Sequence, residues 1–301
     1  MGTGFAIRRR VLVAADQRNV DSVTAARRVA AHLTDVDVLM RTEDGHAPPG
    51  EDSPDAALVC DDIPLAEDLA RRQVPVVFLS SSAVDPETWP DGVTVRCRHR
   101  PAWLPSLWDG VTGVGTMAPA RLRRTRDRDG VLALVSLAGG SAAEARRYVG
   151  EVLRPVVDTW RRRWADEVLV VGDAHLDALA DGLGGLDRTR VRSVAEIDVD
   201  DAHAKAGQLL ATPTLTAATL AWARRAPVVL LPPANARQER LVAALADPWG
   251  TPAAVTAADL ADAPTPGGLA VVTGSVALAS DDLRGAQRVA RQVRQVTFAP
   301  V

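Results

Sequence analysis

AGQLLATPTLTAATLAWARRAPVVLLPPANARQE, residues 206–239, reads as strand, turn, helix and second strand in one run. Gly207 to Ala211 is a short apolar strand and Thr212-Pro213-Thr214 a turn. An alanine-rich helix follows to Arg225, and Val228 to Leu231 is again apolar and of strand length. Leu215, Ala218 and Trp222 recur at i, i+3 and i+7 and predict one buried helical stripe. Thr214 is a good N-cap, and Pro213 before it discourages an earlier start. The helix N-terminus then emerges at the carboxyl edge of a parallel sheet. Its free amides and positive dipole end make a seat for a phosphate. Beyond Leu231 a polar loop opens at Pro232 and closes at Gln238.

The same alternation extends outward in both directions. Upstream, Val131 to Leu137 is a strand ending in Ala138-Gly139-Gly140-Ser141, followed by a long helix that Pro155 should kink. Val168 to Val171 is a strand, His175 to Leu183 a helix, and Val191 to Val194 a short strand before a loop at Ala195 to Asp200. Nearer the N-terminus, strands at Arg10 to Ala15, Val36 to Met40, Ala56 to Cys60 and Val74 to Ser80 alternate with helices around Val23 to Leu33 and Pro64 to Arg72. Thr42 to Pro54 reads as an exposed loop, and Thr94 to His99 and Gly110 to Val114 as edge strands. The charged stretch Ala118 to Gly130 has no apolar stripe and separates the two series. The expectation is an α/β protein of two Rossmann-like domains facing across a cleft, residues 1–120 and 121–301. An amphipathic last helix at about 282–296 is suited to crossing back to the first domain.

Composition bounds the function. With 301 residues, 47% apolar and 24% charged, the chain suits two globular domains. A net charge of −3 argues against general nucleic-acid affinity. No apolar run approaches a membrane span, and the N-terminus lacks a signal-peptide pattern, so a cytoplasmic protein without membrane association is expected. Cys60 and Cys97 have no disulfide or zinc spacing. Gly113-Val114-Gly115-Thr116-Met117-Ala118 matches a dinucleotide fingerprint, but Pro119 and charged residues stand where its helix should run.

The chemistry belongs at the carboxyl ends of the strands. Gly139-Gly140-Ser141 lets backbone approach a phosphate and adds a hydroxyl. Thr212, Thr214 and Thr216 surround the helix N-terminus and are placed for a diphosphate. Asn235 and Gln238 are placed for sugar hydroxyls or a sugar carboxylate. For a general base the order is Asp16, then Asp61 or Asp62, each just past a strand, where a closed cleft raises a carboxylate's pKa toward the working range. Plainer readings stand beside these: an ordinary turn at Gly139-Gly140, a loop charge or helix cap at Asp16, a cap at Asp62.

The wording of residues 206–239 resembles the nucleotide-sugar half of GT-B glycosyltransferases, especially the peptidoglycan N-acetylglucosaminyltransferase type, and more closely cytosylglucuronate synthase and proteins related to it. The turn Thr212-Pro213-Thr214-Leu215-Thr216, the strand ending at Pro232-Pro233 and the close at Arg237-Gln238-Glu239 carry the likeness to the peptidoglycan type, with Thr219 where that type has a ribose-holding Glu, and Thr212 to Arg224 carries the closer one. The resemblance implies that backbone near Ile197 meets the uracil edge and that no metal or cofactor is needed beyond a UDP-sugar donor. It implies a UDP-sugar-dependent glycosyltransferase, with glucuronyl transfer to a pyrimidine such as cytosine as the specific form. The partners are then a nucleotide-sugar donor and a small-molecule acceptor, with a homodimer left open. The first loop, Asp16-Gln17-Arg18-Asn19-Val20-Asp21, has neither the Gly nor the His common in that fold. This motivates an alternative: a GT-B-fold binding or regulatory protein without catalysis. An enzyme should show an open polar cleft on which Thr214, Ser141 and Gln238 converge, and a scaffold one filled by side chains such as Trp103 or Trp108.

Overall fold

The computed structural model describes residues 8–41, 53–83, 88–104, 111–164, 167–249, 254–265 and 282–299. The first series comprises β1 (Arg10–Ala15), α1 (Val20–Ala30), β2 (Asp37–Met40), β3 (Ala56–Cys60), α2 (Ile63–Arg71), β4 (Val76–Ser80), β5 (Val95–Arg98) and β6 (Thr112–Gly113). All its strand pairs are parallel, in the order β2-β1-β3-β4-β5-β6. β3 and β4 are buried at every position, as expected for apolar runs covered on both faces. The loop expected at Thr42 to Pro54 and the residue Trp108 lie wholly or largely outside the described residues.

The second series begins with β7 (Asp129–Val135), α3 (Ala142–Tyr148), α4 (Arg154–Trp164), β8 (Val168–Gly172), α5 (Leu176–Leu183) and β9 (Thr189–Ser193). It continues with α6 (Val199–Lys205), β10 (Ala206–Ala211), α7 (Leu215–Ala223), β11 (Val229–Leu230), α8 (Ala236–Trp249), α9 (Ala257–Asp262) and α10 (Gly285–Thr297). The second sheet is likewise parallel, ordered β11-β10-β7-β8-β9. Both sheets confirm the α/β class with a parallel sheet in each half.

Local departures from the sequence reading have local causes. Pro155 cannot donate to the carbonyl four residues back, and the chain widens into a π-helical turn at Val149–Leu153 just ahead of it. α5 starts one residue later than expected because His175 is left-handed, with φ 53°. The loop expected at Ala195 to Asp200 ends in a helix start, capped by Asp198. Gln238 is not the end of a loop but sits in the first turn of α8.

Four apolar clusters hold the layers. On one face of the first sheet, β1, β3 and β4 pack under α1 and α10, which contributes Ala286, Val289, Ala290 and Val293. Gly285 lets α10 pass close to the chain at Thr116, where an added Cβ would lie 2.7 Å from the Thr116 carbonyl oxygen. A further cluster joins the two halves: Val20 and Val23 of α1 with Trp103 and Leu104 pack against Leu215, Leu220 and Leu241. Hence α7 is buried from Leu215 through Ala221, not along one stripe alone, because α1 covers the side that faces away from its own sheet.

Candidate functional site

Two helix N-termini, those of α1 and α7, meet where the halves face one another. Each has a local cap. The Asn19 carboxamide oxygen accepts from the Asp21 amide at 3.0 Å, and the Thr214 hydroxyl accepts from the Ala217 amide at 3.1 Å. Each also receives a carboxylate from the opposite half. Asp21 of α1 accepts from the Leu215 amide at 3.2 Å and the Thr216 amide at 2.7 Å. Asp173, just past β8, accepts from the Val20 amide at 3.0 Å. Such termini favour negative charge through their free amides and dipoles.

Both carboxylates are nearly sealed from solvent, Asp21 at 8% and Asp173 at 4% exposure. Asp173 also accepts from the Ser136 hydroxyl at 2.6 Å, the Leu137 amide at 3.0 Å and the Ala174 amide at 2.6 Å. Burial still dominates and pushes its pKa up to about 6 against those bonds. Burial likewise raises Asp21, while Thr216, Leu215 and the Arg28 charge act the other way. Asp61 is half-buried at the end of β3, left-handed at φ 58°, and bonded to the Ser81 amide at 3.0 Å and to the Ser81 hydroxyl. Burial, with a smaller contribution from the Asp21 charge, pushes Asp61 up to about 6.

The expected diphosphate seat at the α7 N-terminus, the position Thr219 where the resembled enzymes hold ribose with a Glu, and the backbone near Ile197 that the resemblance gives to the base each meet a side chain of α1. Asp21 bonds the Thr216 amide. The Arg28 guanidinium donates to the Thr219 hydroxyl at 3.1 Å and to the Met117 carbonyl at 2.6 Å, and pairs with Asp200. Arg27 donates to the carbonyl oxygens of Val194 at 2.8 Å, Ala195 and Ile197. Among the described residues a small pocket lies at this junction. It holds about 50 Å³ and is lined by Asn19, Asp21, Ser136, Thr214, Asn235 and Gln238, among others.

The expected site residues divide accordingly. Thr214, Asn235 and Gln238 come together at this cleft. Both amide side chains are turned onto backbone: Asn235 donates to the Ala138 carbonyl at 2.9 Å and caps α8, while Gln238 donates to the Ser136 carbonyl at 2.9 Å and accepts from the Ala234 amide at 2.8 Å. Thr212 is buried and accepts from the Ser136 amide at 2.8 Å. Ser141 does not line the cleft: it caps α3 in a reciprocal box with Glu144. Gly139 has φ +83°, and Gly140 accepts at its carbonyl from His175 at 2.8 Å. Among the first-half acids, Asp62 caps α2 through the Leu65 amide, and Asp16 accepts from the Arg18 amide within its own loop. Trp103 is buried in the cluster that joins the halves.

Sequence reading missed Asp21, Arg27, Arg28 and Asp173. Asp173 meets the criterion applied to Asp16, a carboxylate just past a strand. For the residues of α1 no local signal exists, because their partners lie between 89 and 195 positions away.

Among the described residues, no group of three or more His, Cys, Asp or Glu is placed to hold a metal ion, and no helix is long and apolar enough to cross a membrane. Solved structures similar to this chain include MurG of Acinetobacter baumannii, at 15% identity over 96% of this chain and 99% of that one, with a TM-score of 0.47. The spinosyn rhamnosyltransferase SpnG complexed with thymidine diphosphate is similar at 13% identity over 97% and 96%, TM-score 0.48. The UDP-GlcNAc 2-epimerase of Methanocaldococcus jannaschii, in complex with UDP-GlcNAc and UDP, is similar at 10% identity over 95% and 99%, TM-score 0.47. No curated protein matches the chain in sequence. The model of the CGA synthase-related proteins matches residues 11–301, so the chain belongs to the CGA synthase-related protein family.

Proposed function

We propose that this chain is a UDP-sugar-dependent glycosyltransferase, and that its specific reaction is glucuronyl transfer to a pyrimidine base such as cytosine, forming an N-glycoside. The observation that carries the reading is the Asp21 carboxylate on the α7 amides. The seat already takes a carboxylate group, and a donor's diphosphate is an oxygen ligand of the same kind. In the reaction an acceptor nitrogen attacks the sugar C1. The bond from C1 to the diphosphate oxygen breaks, its electron pair leaves with the diphosphate, and the acceptor proton passes to a carboxylate. Asp61, raised to about 6, has the proton affinity such a base needs near neutrality. The α7 N-terminus stabilises the departing charge.

This chemistry requires α1 to withdraw, since Asp21, Arg27 and Arg28 stand on the expected donor contacts, and the pocket beside Asp21 among the described residues holds about 50 Å³ against the roughly 300–1,000 Å³ of a ligand site. Withdrawal exposes part of the cluster around Val20, Val23, Trp103 and Leu104, and burying such a side chain is worth about 1.5–3 kcal/mol. Donor affinity is therefore reduced by the fraction of molecules in which the halves have parted.

A second reading has its own observation: Asp21, Arg27 and Arg28 occupy all three implied donor contacts at once. In that reading α1 is a permanent occupant, and the protein is a GT-B-fold binding or regulatory protein without catalysis. Calorimetric titration of wild type and Asp21→Ala with UDP and UDP-glucuronate separates the two. Micromolar binding that tightens in the variant supports the transferase and opens a screen of acceptors, cytosine first. No binding in either protein supports the permanent occupant.

A further inference from the structure

Behind the cleft, at the other end of α1, lies a larger cavity of about 420 Å³, within the range of sites that take small ligands. Its walls come from α1, the segment after the first sheet, α6 and the end of α7. They bring five guanidinium groups together: Arg27, Arg28, Arg121, Arg123 and Arg224. Three carboxylates share the walls, and each has a prior commitment. Asp200 pairs with Arg28 at 2.6 Å, Asp201 lies 2.6 Å from the Lys205 amine, and Asp198 caps α6 through the Asp200 and Asp201 amides.

Positive charge is therefore in surplus. Arg27 donates to the Val194 carbonyl at 2.8 Å and Arg224 to those of Asp200 at 2.7 Å and Arg121 at 2.9 Å; the charges of Asp198 and Asp200 act on both and that of Asp201 on Arg224, so five guanidinium groups share three carboxylates. The exposed side chains of Arg121 and Arg123 make no hydrogen bond or ion pair among the described residues. The surplus is felt at His203, fully buried beside Arg224 at 3.0 Å: burial first, then the charges of Arg224, Arg124 and Arg28, push its pKa down to about 2.

We propose that this cavity is a second binding site, distinct from the cleft, for a small hydroxylated organic anion. Its phosphate or carboxylate would lie against Arg121, Arg123 and Arg224, and its hydroxyls would donate to the rim carboxylates of Asp198 and Asp201. Guanidinium groups suit both acids through paired N–H donors. The site is that of the closed arrangement, in which α1 supplies Arg27 and Arg28 to its walls.

The test titrates the whole protein with glucose 6-phosphate and with glucuronate, separately, by calorimetry at fixed ionic strength. Saturable binding of at least one probe is expected, weakened roughly tenfold or more, about 1.4 kcal/mol, in Arg121→Ser/Arg123→Ser. Both side chains are exposed, so the variant should keep the wild-type melting temperature. Arg237→Ser removes the exposed arginine of the cleft and should leave probe binding unchanged. Absence of binding by both probes overturns the proposal. So does undiminished binding in the double variant, and so does loss in Arg237→Ser, which would place the probe in the cleft.

Discussion

The N-termini of α1 and α7 are capped from opposite halves in the same way, yet the two capping carboxylates differ in how they are held. Asp173 accepts four hydrogen bonds, and three of them come from its own half, Ser136, Leu137 and Ala174. Asp21 accepts main-chain bonds only from across the interface, at Leu215 and Thr216. If the halves part, Asp173 keeps most of its partners and stays in place. Asp21 loses its main-chain partners together and leaves the α7 amides open. The difference identifies Asp21 as the removable piece and Asp173 as scaffold.

The largest test of that contrast is Asp173→Ala. It strands the Ser136 hydroxyl and three amides, of which the Val20 amide belongs to the other half. At about 1–3 kcal/mol for a buried group left without its partner, a loss of roughly 3 kcal/mol or more in urea-unfolding stability is expected. Asp21→Ala strands two amides against those four groups and should cost about half as much, roughly 2 kcal/mol or more. It should also tighten UDP binding, because it weakens the closed state without touching the open one. Equal losses in the two variants would erase the distinction drawn between them.

How much of this was legible beforehand depends on the distance over which each signal acts. The strand and helix order, the cap at Thr214 and the parallel sheets follow from apolar periodicity and turn residues within a dozen positions, and the structure has them. Thr214, Asn235 and Gln238 do gather at one cleft, because all three sit at the carboxyl edge of one sheet. Their partners were not legible: no local pattern says that the Gln238 amide bonds the Ser136 backbone 102 positions away, or that Asp21 reaches Thr216. The first loop lacks the Gly and His common in the resembled fold, and from sequence alone that absence motivates a protein without catalysis. The structure gives it a further meaning, since Asn19, Val20 and Asp21 there build a helix start that docks into the other half.

Acid titration sharpens the contrast at smaller scale. Asp61 and Asp173, raised to about 6, bind protons more readily folded than unfolded, so their contribution to stability grows as pH falls from about 6 toward 4. His99, lowered to about 3 by burial and then by the charges of Arg28 and Arg98, acts in the opposite direction below about 6.5, as does His203. The two sets oppose one another, and wild-type stability should change little between pH 7 and 5. Asp173→Asn removes one acid and leaves both histidines. Its deficit relative to wild type should therefore widen on acidification, by on the order of 1 kcal/mol at pH 5. A constant deficit would mean that Asp173 does not titrate in this range.

The smallest expected effect is at Ser141, and it separates a helix cap from a donor contact. Ser141→Ala removes the hydroxyl that accepts from the Glu144 amide at 3.3 Å and donates to the Glu144 carboxylate at 2.8 Å. The backbone half of the box, the Ser141 amide to Glu144 at 2.7 Å, survives the change. The stability cost should therefore fall at the low end of a lost cap, about 0.5–1 kcal/mol. In the Asp21→Ala background, where the α7 amides are open, the same substitution also reports on the diphosphate. A fall in UDP affinity of severalfold would put the hydroxyl on the ligand, since a cap at an exposed helix start has no other route to the cleft. Unchanged affinity with the same stability loss would confine Ser141 to α3 and leave the diphosphate to the amides of α7 alone.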